Sequence, residues 1–160
     1  MNRLPEGYAA TLPRKRMAAG VLLRDRAGRV LLVEPTYKDY WELPGGAVEA
    51  DESPYDAAIR EVTEELGIVV APGRMLVVDW VPPLADRAEG VIVIYDGGIV
   101  EPGLEGRIRL RGGELRSWAW STLPEADTRL SPLLARRVRA AVRAVDDQAT
   151  SYLEDGLRRA

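Results

Sequence analysis

Three glutamates, Glu61, Glu64 and Glu65, have the spacing of a site that does chemistry. Positions i, i+3 and i+4 lie on one face of a helix, where each pair of like charges costs about 0.2–0.5 kcal/mol. Glu64 and Glu65 also fall in the last turn before Gly67, where the helix dipole disfavours anions by about 0.3–1 kcal/mol per charge. Because the total of about 1–2 kcal/mol brings no visible structural gain, the cluster indicates a functional site. The alternative is a solvated acidic helix surface.

The neighbours of this cluster favour a bound cation over plain solvation. Gly45 and Gly46 lie just upstream, in a segment whose backbone can approach a ligand closely. Arg60 can pair with Glu64 four residues on, relieving one carboxylate at most, and Glu52 can pair with Arg60. A divalent cation would convert the remaining repulsion into ligation, since hard cations prefer clusters of oxygen atoms.

The composition narrows the chemistry further, because the 160-residue chain contains no His and no Cys. Their absence excludes thiol catalysis, imidazole acid–base chemistry and conventional zinc sites, so any metal must be a hard cation held by oxygen atoms. The net charge of −3 argues against a nucleic-acid polymer as the partner. The lack of Cys, and of any run near the ~18 apolar residues of a membrane span, predicts a soluble, cytoplasmic protein with no membrane partner.

The glutamates belong to a predicted helix with both ends defined. It begins after the N-cap Ser53, with Pro54 at its first position and Asp56 in the capping-box position. It ends at Gly67, which suits the left-handed site that follows a helix C-terminus. The acidic cluster therefore lies at the C-terminal end of this helix.

The remaining pattern predicts one α/β (α+β) domain over residues 1–160 with a mixed β-sheet. A second helix over 131–144 has apolar residues at helical spacing and its arginines on the other side, facing solvent or a nucleic acid. The lead-in 1–15 is irregular, 40–52 is loop-rich, and the tail 146–160 is either docked or frayed. Five segments have the pattern of strands: 17–25, 29–35, 74–81, 90–98 and 114–123.

The segment from Gly46 to Ile68 resembles the signature of the Nudix hydrolases, the MutT-like pyrophosphohydrolases. That signature is a Gly, five residues, a Glu, seven residues, then Arg-Glu-apolar-x-Glu-Glu-x-Gly-apolar. Here it runs from Gly46 through Glu52 and Arg60 to Ile68, and every specified position is filled over 23 residues. The preceding WELPGG resembles the usual lead-in, and the likeness extends over residues 16–145. The resemblance implies the family's α/β/α sandwich with a mixed sheet.

The same resemblance implies a metal-dependent hydrolase. Its substrate would be a nucleoside diphosphate linked to another moiety, cleaved by attack of water on phosphorus with Mg²⁺ or Mn²⁺ as cofactor. Carried over by position, Glu64 and Glu65 are direct metal ligands, and Glu61 either binds metal or orients the water. The Gly46 carbonyl is a further implied ligand. Glu114, which precedes a Trp-containing strand, is another, with an exposed loop glutamate as the alternative.

Arg60 and Glu52 resemble the residues that fix the geometry of such a cluster. The catalytic residues implied are therefore Glu52, Arg60, Glu61 and Glu64, and which glutamate acts as the base stays open. Pro82-Pro83 lies near where ADP-ribose pyrophosphatases of the family carry a proline. An oxidised purine nucleoside triphosphate is the alternative substrate.

A group of side chains around the signature is predicted to bind the substrate. An aromatic ring there would stack on a base and a cation would contact phosphates, whereas core packing and solvation are the alternatives. The candidates are Arg24, Lys38, Tyr40 and Trp41, with Tyr37 beside them.

Two rival functions and one assembly remain open. A non-catalytic module that senses nucleotide metabolites would keep the fold, but it need not retain the three glutamates. An isomerase of isoprenoid diphosphates generally relies on a reactive Cys, which this chain lacks. The resemblance also allows a homodimer, since members of the family are often dimers.

Overall fold

The structure, a computed structural model that describes residues 5–110 and 113–159, is built on a mixed β-sheet. The strands are β1 (Arg16–Arg24), β2 (Val30–Pro35), β3 (Gly45–Ala47), β4 (Met75–Val81), β5 (Gly90–Ile99), β6 (Leu115–Ser121), β7 (Ser151–Glu154) and β8 (Leu157–Arg158). Their spatial order is β6-β2-β1-β5-β4-β7-β8, and β3 pairs with β1 outside this row. The pairs β1–β5 and β4–β7 are parallel, whereas the others are antiparallel.

The described residues form five helices, and two of them, those over residues 54–66 and 132–146, cover the two faces of this sheet. The helices are α1 (Tyr8–Thr11), α2 (Pro54–Leu66), α3 (Pro102–Glu105), α4 (Leu123–Arg129) and α5 (Pro132–Asp146). Because side chains alternate along a strand, β1 sends Val21 into a core beneath α2 and Leu22 into a second core beneath α5. The predicted α/β/α sandwich with a mixed sheet is confirmed. Among the described residues, no helix combines the length and the apolar character of a membrane crossing.

Helix α2 has the ends that the sequence predicts. The Ser53 hydroxyl accepts a hydrogen bond from the Asp56 backbone N–H at 3.1 Å, and Gly67 adopts a left-handed φ of 68°. The rotation of the helix about its axis is fixed by its buried side chains, which are Ala57, Ala58, Val62 and Leu66. With these side chains buried, the three glutamates of the acidic cluster lie outside the buried face, at the C-terminal end of the helix.

The segment expected to be loop-rich contains the short strand β3. Its residues pair with Ala18–Gly20 of β1, and the two backbones come unusually close. Gly45 has a φ of 148°, and a Cβ there would lie 2.3 Å from the Ala19 carbonyl oxygen. Only glycine fits this position, so the Gly-Gly pair serves strand pairing rather than a free loop.

The remaining differences from the predicted elements occur near chain ends and loops. The last predicted strand stops at Ser121 instead of 123, because Thr122 and Glu125 form a reciprocal capping box that starts α4. The lead-in contains α1, and α3 was not predicted. The tail is docked, since β7 pairs with β4 and β8 with β7. Residues 1–4 of the lead-in and residue 160 of the tail lie outside the described residues.

Candidate active site

Arg60 connects α2 to the segment that leads into it. Its Nε and Nη2 donate to the two carboxylate oxygens of Glu52 at 2.8 and 3.0 Å, and Nη2 also donates to the Ala47 carbonyl oxygen at 2.9 Å. This bidentate pairing confirms the predicted contact between Glu52 and Arg60. Hydrogen bonds from Arg60 and from the Glu49 backbone lower the pKa of Glu52 to about 2.

The same guanidinium also reaches the acidic cluster. Arg60 Nη1 donates to Glu61 at 2.8 Å and to Glu64 at 3.1 Å, so it relieves two carboxylates where one at most was expected. The Glu61 side chain is only 17% exposed and that of Glu64 is 59% exposed. Burial raises the pKa of Glu61, although the hydrogen bond from Arg60 opposes this change. Glu61 and Glu64 thus share the guanidinium group of Arg60, but Glu61 is largely buried and Glu64 is exposed.

Glu65 is turned away from Arg60 and towards β3. Its carboxylate accepts a hydrogen bond from the Gly45 backbone N–H at 3.0 Å. Burial raises the pKa of Glu65 to about 8, and the negative charge of Glu61 contributes to this rise. A partly buried carboxylate with one backbone donor is therefore held at the junction of β3 and α2.

Gly46 lies directly against Glu61. A Cβ at Gly46 would come within 2.5 Å of the Glu61 carboxyl carbon, so any side chain there would displace the glutamate. The sequence predicted both residues as metal ligands, and the structure brings them into contact. Their oxygens, with those of Glu64 and Glu65, form the all-oxygen donor set that Mg²⁺ and Mn²⁺ prefer.

The donor set fits such a cation in its chemistry, but it is not assembled around one point. Glu61 and Glu64 are bound to Arg60, whereas Glu65 is bound to Gly45. Among residues 5–110 and 113–159, no three acidic side chains already lie close enough together to hold a metal ion. A cation held by all three glutamates would therefore require their carboxylates to turn. Glu64, the most exposed of the three, has the most freedom to do so.

Glu114 lies on the same side of the molecule as the cluster, just before β6. Its carbonyl oxygen accepts a hydrogen bond from the Thr36 backbone N–H at 2.8 Å, which fixes the backbone of Glu114 itself. Its negative charge contributes to the raised pKa of both Glu61 and Glu65. Glu114 is thus close enough to act on the cluster electrostatically.

A cavity of about 510 Å³ opens on the α5 side of the sheet, with the backbone of β3 at its rim. Small residues on β1, Ala18 and Gly20, leave room above the sheet, and Ile92 and Ile94 of β5 complete an apolar floor. Leu134, Arg137 and Val138 of α5 and the segment from Tyr37 to Leu43 contribute the walls. The volume suits a small-molecule ligand.

The predicted substrate-binding residues divide around this cavity. Lys38 lines it, as does Tyr37, although the Lys38 ammonium is paired with Glu42 at 2.5 Å. Tyr40 is not among the described residues that line the cavity. Its ring lies next to the cavity residue Lys38, whose ammonium is 5.6 Å from the ring centroid. Arg24 and Trp41 lie elsewhere.

Arg24 and Trp41 have structural surroundings. Arg24 pairs with Asp96 at 3.0 Å near the far end of β1, outside the described cavity lining. Trp41 packs against the core beneath α5, with the Arg129 guanidinium 4.7 Å from its ring centroid. Trp41 thus has the core packing that was its alternative, whereas Arg24 is ion-paired and part-buried rather than solvated. Their predicted role in substrate binding stays a prediction.

Arg137 is one of the lining residues that were not predicted from the sequence. The arginines of α5 were expected on an outer face, but Arg137 is buried and pairs with Asp79 at 2.7 Å. Two signals were available. Arg137 is spaced i+3 from Leu134 and i−4 from Ala141, which places it on the apolar side of the helix. Asp79 is a single charge in an otherwise apolar strand, and a buried charge requires a partner.

Comparison with known proteins gives a consistent result. The NUDIX domain model matches residues 14–143. The diphosphoinositol polyphosphate phosphohydrolase 3-alpha of Mus musculus is 43% identical over 73 residues, which cover 45% of this chain and 42% of that protein. A MutT-like protein of Streptomyces ambofaciens is 28% identical over 134 residues, covering 84% and 80%. The crystal structure of the MutT protein from Methanosarcina mazei Go1 aligns with a TM-score of 0.66 at 25% identity, covering 86% and 98%.

Proposed function

We propose that this chain, which belongs to the NUDIX domain family, is a pyrophosphohydrolase that requires Mg²⁺ or Mn²⁺ and acts on a nucleoside diphosphate linked to another moiety. The observation that carries the proposal is the arrangement of the glutamates. Glu61, Glu64 and Glu65 lie together at the end of α2, beside the Gly45-Gly46 backbone. Arg60 is the cation that pairs with this cluster, and its single positive charge does not balance three carboxylates.

The cation would be held by the Gly46 carbonyl, Glu61, Glu64 and Glu65, with Glu114 beside them. When bound, it supplies charge neutralisation for the phosphate oxygens and lowers the pKa of attacking water. Because the chain has no His and no Cys, glutamates are also its candidates for accepting the proton of that water.

Arg60 and Glu52 act on the cluster by fixing it. The bidentate bond to Glu52 and the bond to the Ala47 carbonyl hold the guanidinium in one orientation. Arg60 Nη1 in turn orients Glu61 and Glu64. Loss of such a supporting residue typically reduces activity or metal affinity by about 10–100-fold.

The position of the cavity supports a substrate with two unlike halves. The diphosphate would lie at the β3 rim beside the glutamates, and the other half would enter the cavity. The diphosphoinositol polyphosphate phosphohydrolases compared with this chain match it over only 36–42% of their own length. Three cations among the described residues line the cavity: Lys38 and Arg137 are already ion-paired, and Arg16 donates from Nε to the Ala88 carbonyl oxygen at 2.7 Å. The floor is apolar. This lining favours a nucleoside over a densely phosphorylated ring.

The test is phosphate release from a panel of substrates, with Mg²⁺ or Mn²⁺ and a coupled phosphatase. The panel contains ADP-ribose, NADH, diadenosine polyphosphates, nucleotide sugars, canonical and oxidised nucleoside triphosphates, and a diphosphoinositol polyphosphate. We expect at least one nucleotide to be hydrolysed, with the activity lost in chelator. Silence across the panel from folded protein would refute the proposal and favour the sensing module.

A matched control isolates the cluster. Glu64→Gln should lose activity, whereas Asp86→Asn, which removes an exposed carboxylate from the loop after β4, should not. Equal losses in both variants would show that the change follows net charge rather than the proposed site.

A further inference from the structure

Asp79 and Arg137 form a buried ion pair beneath α5. The side chain of Asp79 is 0% exposed and that of Arg137 is 7% exposed. Arg137 Nε and Nη2 lie 2.8 and 2.7 Å from Asp79 Oδ2, and Asp79 Oδ1 accepts a hydrogen bond from the Gly156 backbone N–H at 3.0 Å. Both carboxylate oxygens are therefore used, as a buried charge requires.

Arg137 has fewer of its hydrogen-bonding groups occupied than Asp79 does. A guanidinium carries five N–H donors, and Asp79 is approached only by Nε and Nη2. Among the described residues, no acceptor is found for Nη1. Arg137 also lines the cavity, between Leu134 and Val138 of the same helix. The arginine is thus a nearly buried donor with unused capacity at an otherwise apolar wall.

We propose that Arg137 is the specificity-determining residue of this cavity. It donates hydrogen bonds to a neutral acceptor, a carbonyl oxygen or ring nitrogen, on the heterocycle of the substrate's non-phosphate half. This inference rests on the proposed function for the identity of that substrate. A hydrogen-bonding group in an apolar pocket discriminates strongly, because a ligand without the matching acceptor leaves the donor unpaired.

The charge of the pair decides between a heterocycle and a phosphate. Asp79 neutralises Arg137 at 2.7 Å, so an anionic group in the cavity would meet the field of both charges. The surrounding floor residues, Ala18, Ile92 and Ile94, would desolvate a phosphate without compensating it. A flat, uncharged ring with acceptors on its edge meets both conditions.

Asp79 and the docked tail are the positioning elements. Asp79 lies on β4, and the turn between β7 and β8 brings Gly156 to its second oxygen. Gly156 has a φ of +74°, and a Cβ there would lie 2.9 Å from the side chain of Leu133. Glycine therefore lets the turn reach both α5 and Asp79, which holds the guanidinium in place.

The experiment compares two double variants of one chemical type. Asp79→Asn with Arg137→Met removes the buried pair and keeps a side-chain oxygen that can accept the hydrogen bond from Gly156. Asp127→Asn with Arg139→Met makes the same changes in an exposed pair, between α4 and α5. Calorimetry measures binding of AMP, GMP, CMP, UMP and inorganic pyrophosphate to the full chain with Mg²⁺, and melting temperatures confirm folding.

We expect the first variant to bind its best nucleotide about 10-fold or more weakly, with pyrophosphate binding changed less than about twofold. The control pair should alter neither. Equal nucleotide affinity in the wild type and the buried-pair variant overturns the inference. So does a wild type that binds no nucleotide more tightly than pyrophosphate.

Two further measurements complete the test. If the double variant fails to fold, Arg137→Lys keeps the ion pair but loses the planar fork, and unchanged discrimination among the four nucleotides then refutes the role. Hydrolysis by the wild type separates this inference from the proposed function. Arg137-dependent binding without hydrolysis refutes only the enzyme, whereas hydrolysis with binding that ignores Arg137 refutes only the specificity residue.

Discussion

Carboxylates on the two sides of the sheet have opposite surroundings. Beneath α5, Asp79 is fully buried and receives hydrogen bonds at both oxygens from Arg137 and Gly156. At the end of α2, Glu61 and Glu64 share one guanidinium group, and Glu65 has one backbone donor and a pKa raised to about 8. The fold satisfies the first carboxylate and leaves the others short of positive charge.

This contrast distinguishes carboxylates that support the fold from carboxylates that await a ligand. Burial alone does not make the distinction, because Asp79 is the more deeply buried. The number of partners that the chain itself supplies does. We therefore expect removal of Asp79 to damage stability and removal of the α2 glutamates to damage activity.

Asp79→Ala has the largest expected effect. It leaves the Arg137 charge buried without its partner, which typically costs about 3–5 kcal/mol of unfolding free energy. Urea denaturation measures the loss. Asp127→Ala breaks an exposed pair with Arg139 and should cost only about 0–1 kcal/mol. Similar losses of unfolding free energy in the two variants would contradict the structural role proposed for Asp79.

Glu64→Gln should lower kcat by more than about 100-fold while the fold survives, because the site loses a charged ligand of the cation. Its side chain is 59% exposed, so no packing is lost. Steady-state kinetics at saturating Mn²⁺ measure the effect, with circular dichroism as the check on folding. Activity close to that of the wild type would contradict the assignment of the metal site.

Glu52→Gln tests the contact that fixes Arg60 through its pH dependence. The pKa of Glu52 is lowered from 4.5 to about 2, chiefly by the hydrogen bond from Arg60. A lowered pKa means that its contribution to stability is present above pH 4.5 and is lost as the pH falls towards 2. The stability gap between wild type and variant should narrow over that range. Glu49→Gln, an exposed neighbour, is the control, and a gap that stays constant with pH would count against the contact.

The sequence predicted the α2 side of this comparison well because its determinants are local. Ser53, Gly67 and the spacing of Arg60 and the three glutamates all lie within one helix and its ends. Helical geometry then decides which groups meet. Neighbours along the chain were sufficient to predict the acidic face and both ion pairs of Arg60 with Glu52 and Glu64.

The α5 side could not be predicted in the same way, because its determinants are far apart in the sequence. Asp79 and Arg137 are separated by 58 residues, and Gly156 reaches Asp79 only after the tail pairs with β4. Strand β3 likewise depends on its approach to β1. Local patterns do not contain these pairings, so Arg137 was assigned to the outer face with the other arginines of α5.

The smallest expected effect is on stability without metal. Glu64→Gln removes an anion from the last turn of α2 and relieves repulsion, with a gain of about 0.3–1 kcal/mol that the lost pairing with Arg60 reduces. Denaturation in EDTA measures the change. Marked destabilisation in EDTA would mean that Glu64 belongs with Asp79 among the carboxylates that support the fold.

One measurement tests the central claim most directly: the melting temperatures of the wild type and Glu64→Gln in EDTA and in rising Mn²⁺. A ligand at about 100 times its Kd adds about 2.7 kcal/mol to the stability of a protein that binds it only when folded. We predict that the variant melts no lower than the wild type in EDTA and that Mn²⁺ raises the wild type well above it. Equal responses to Mn²⁺, or none, would contradict the claim that these glutamates form a cation site.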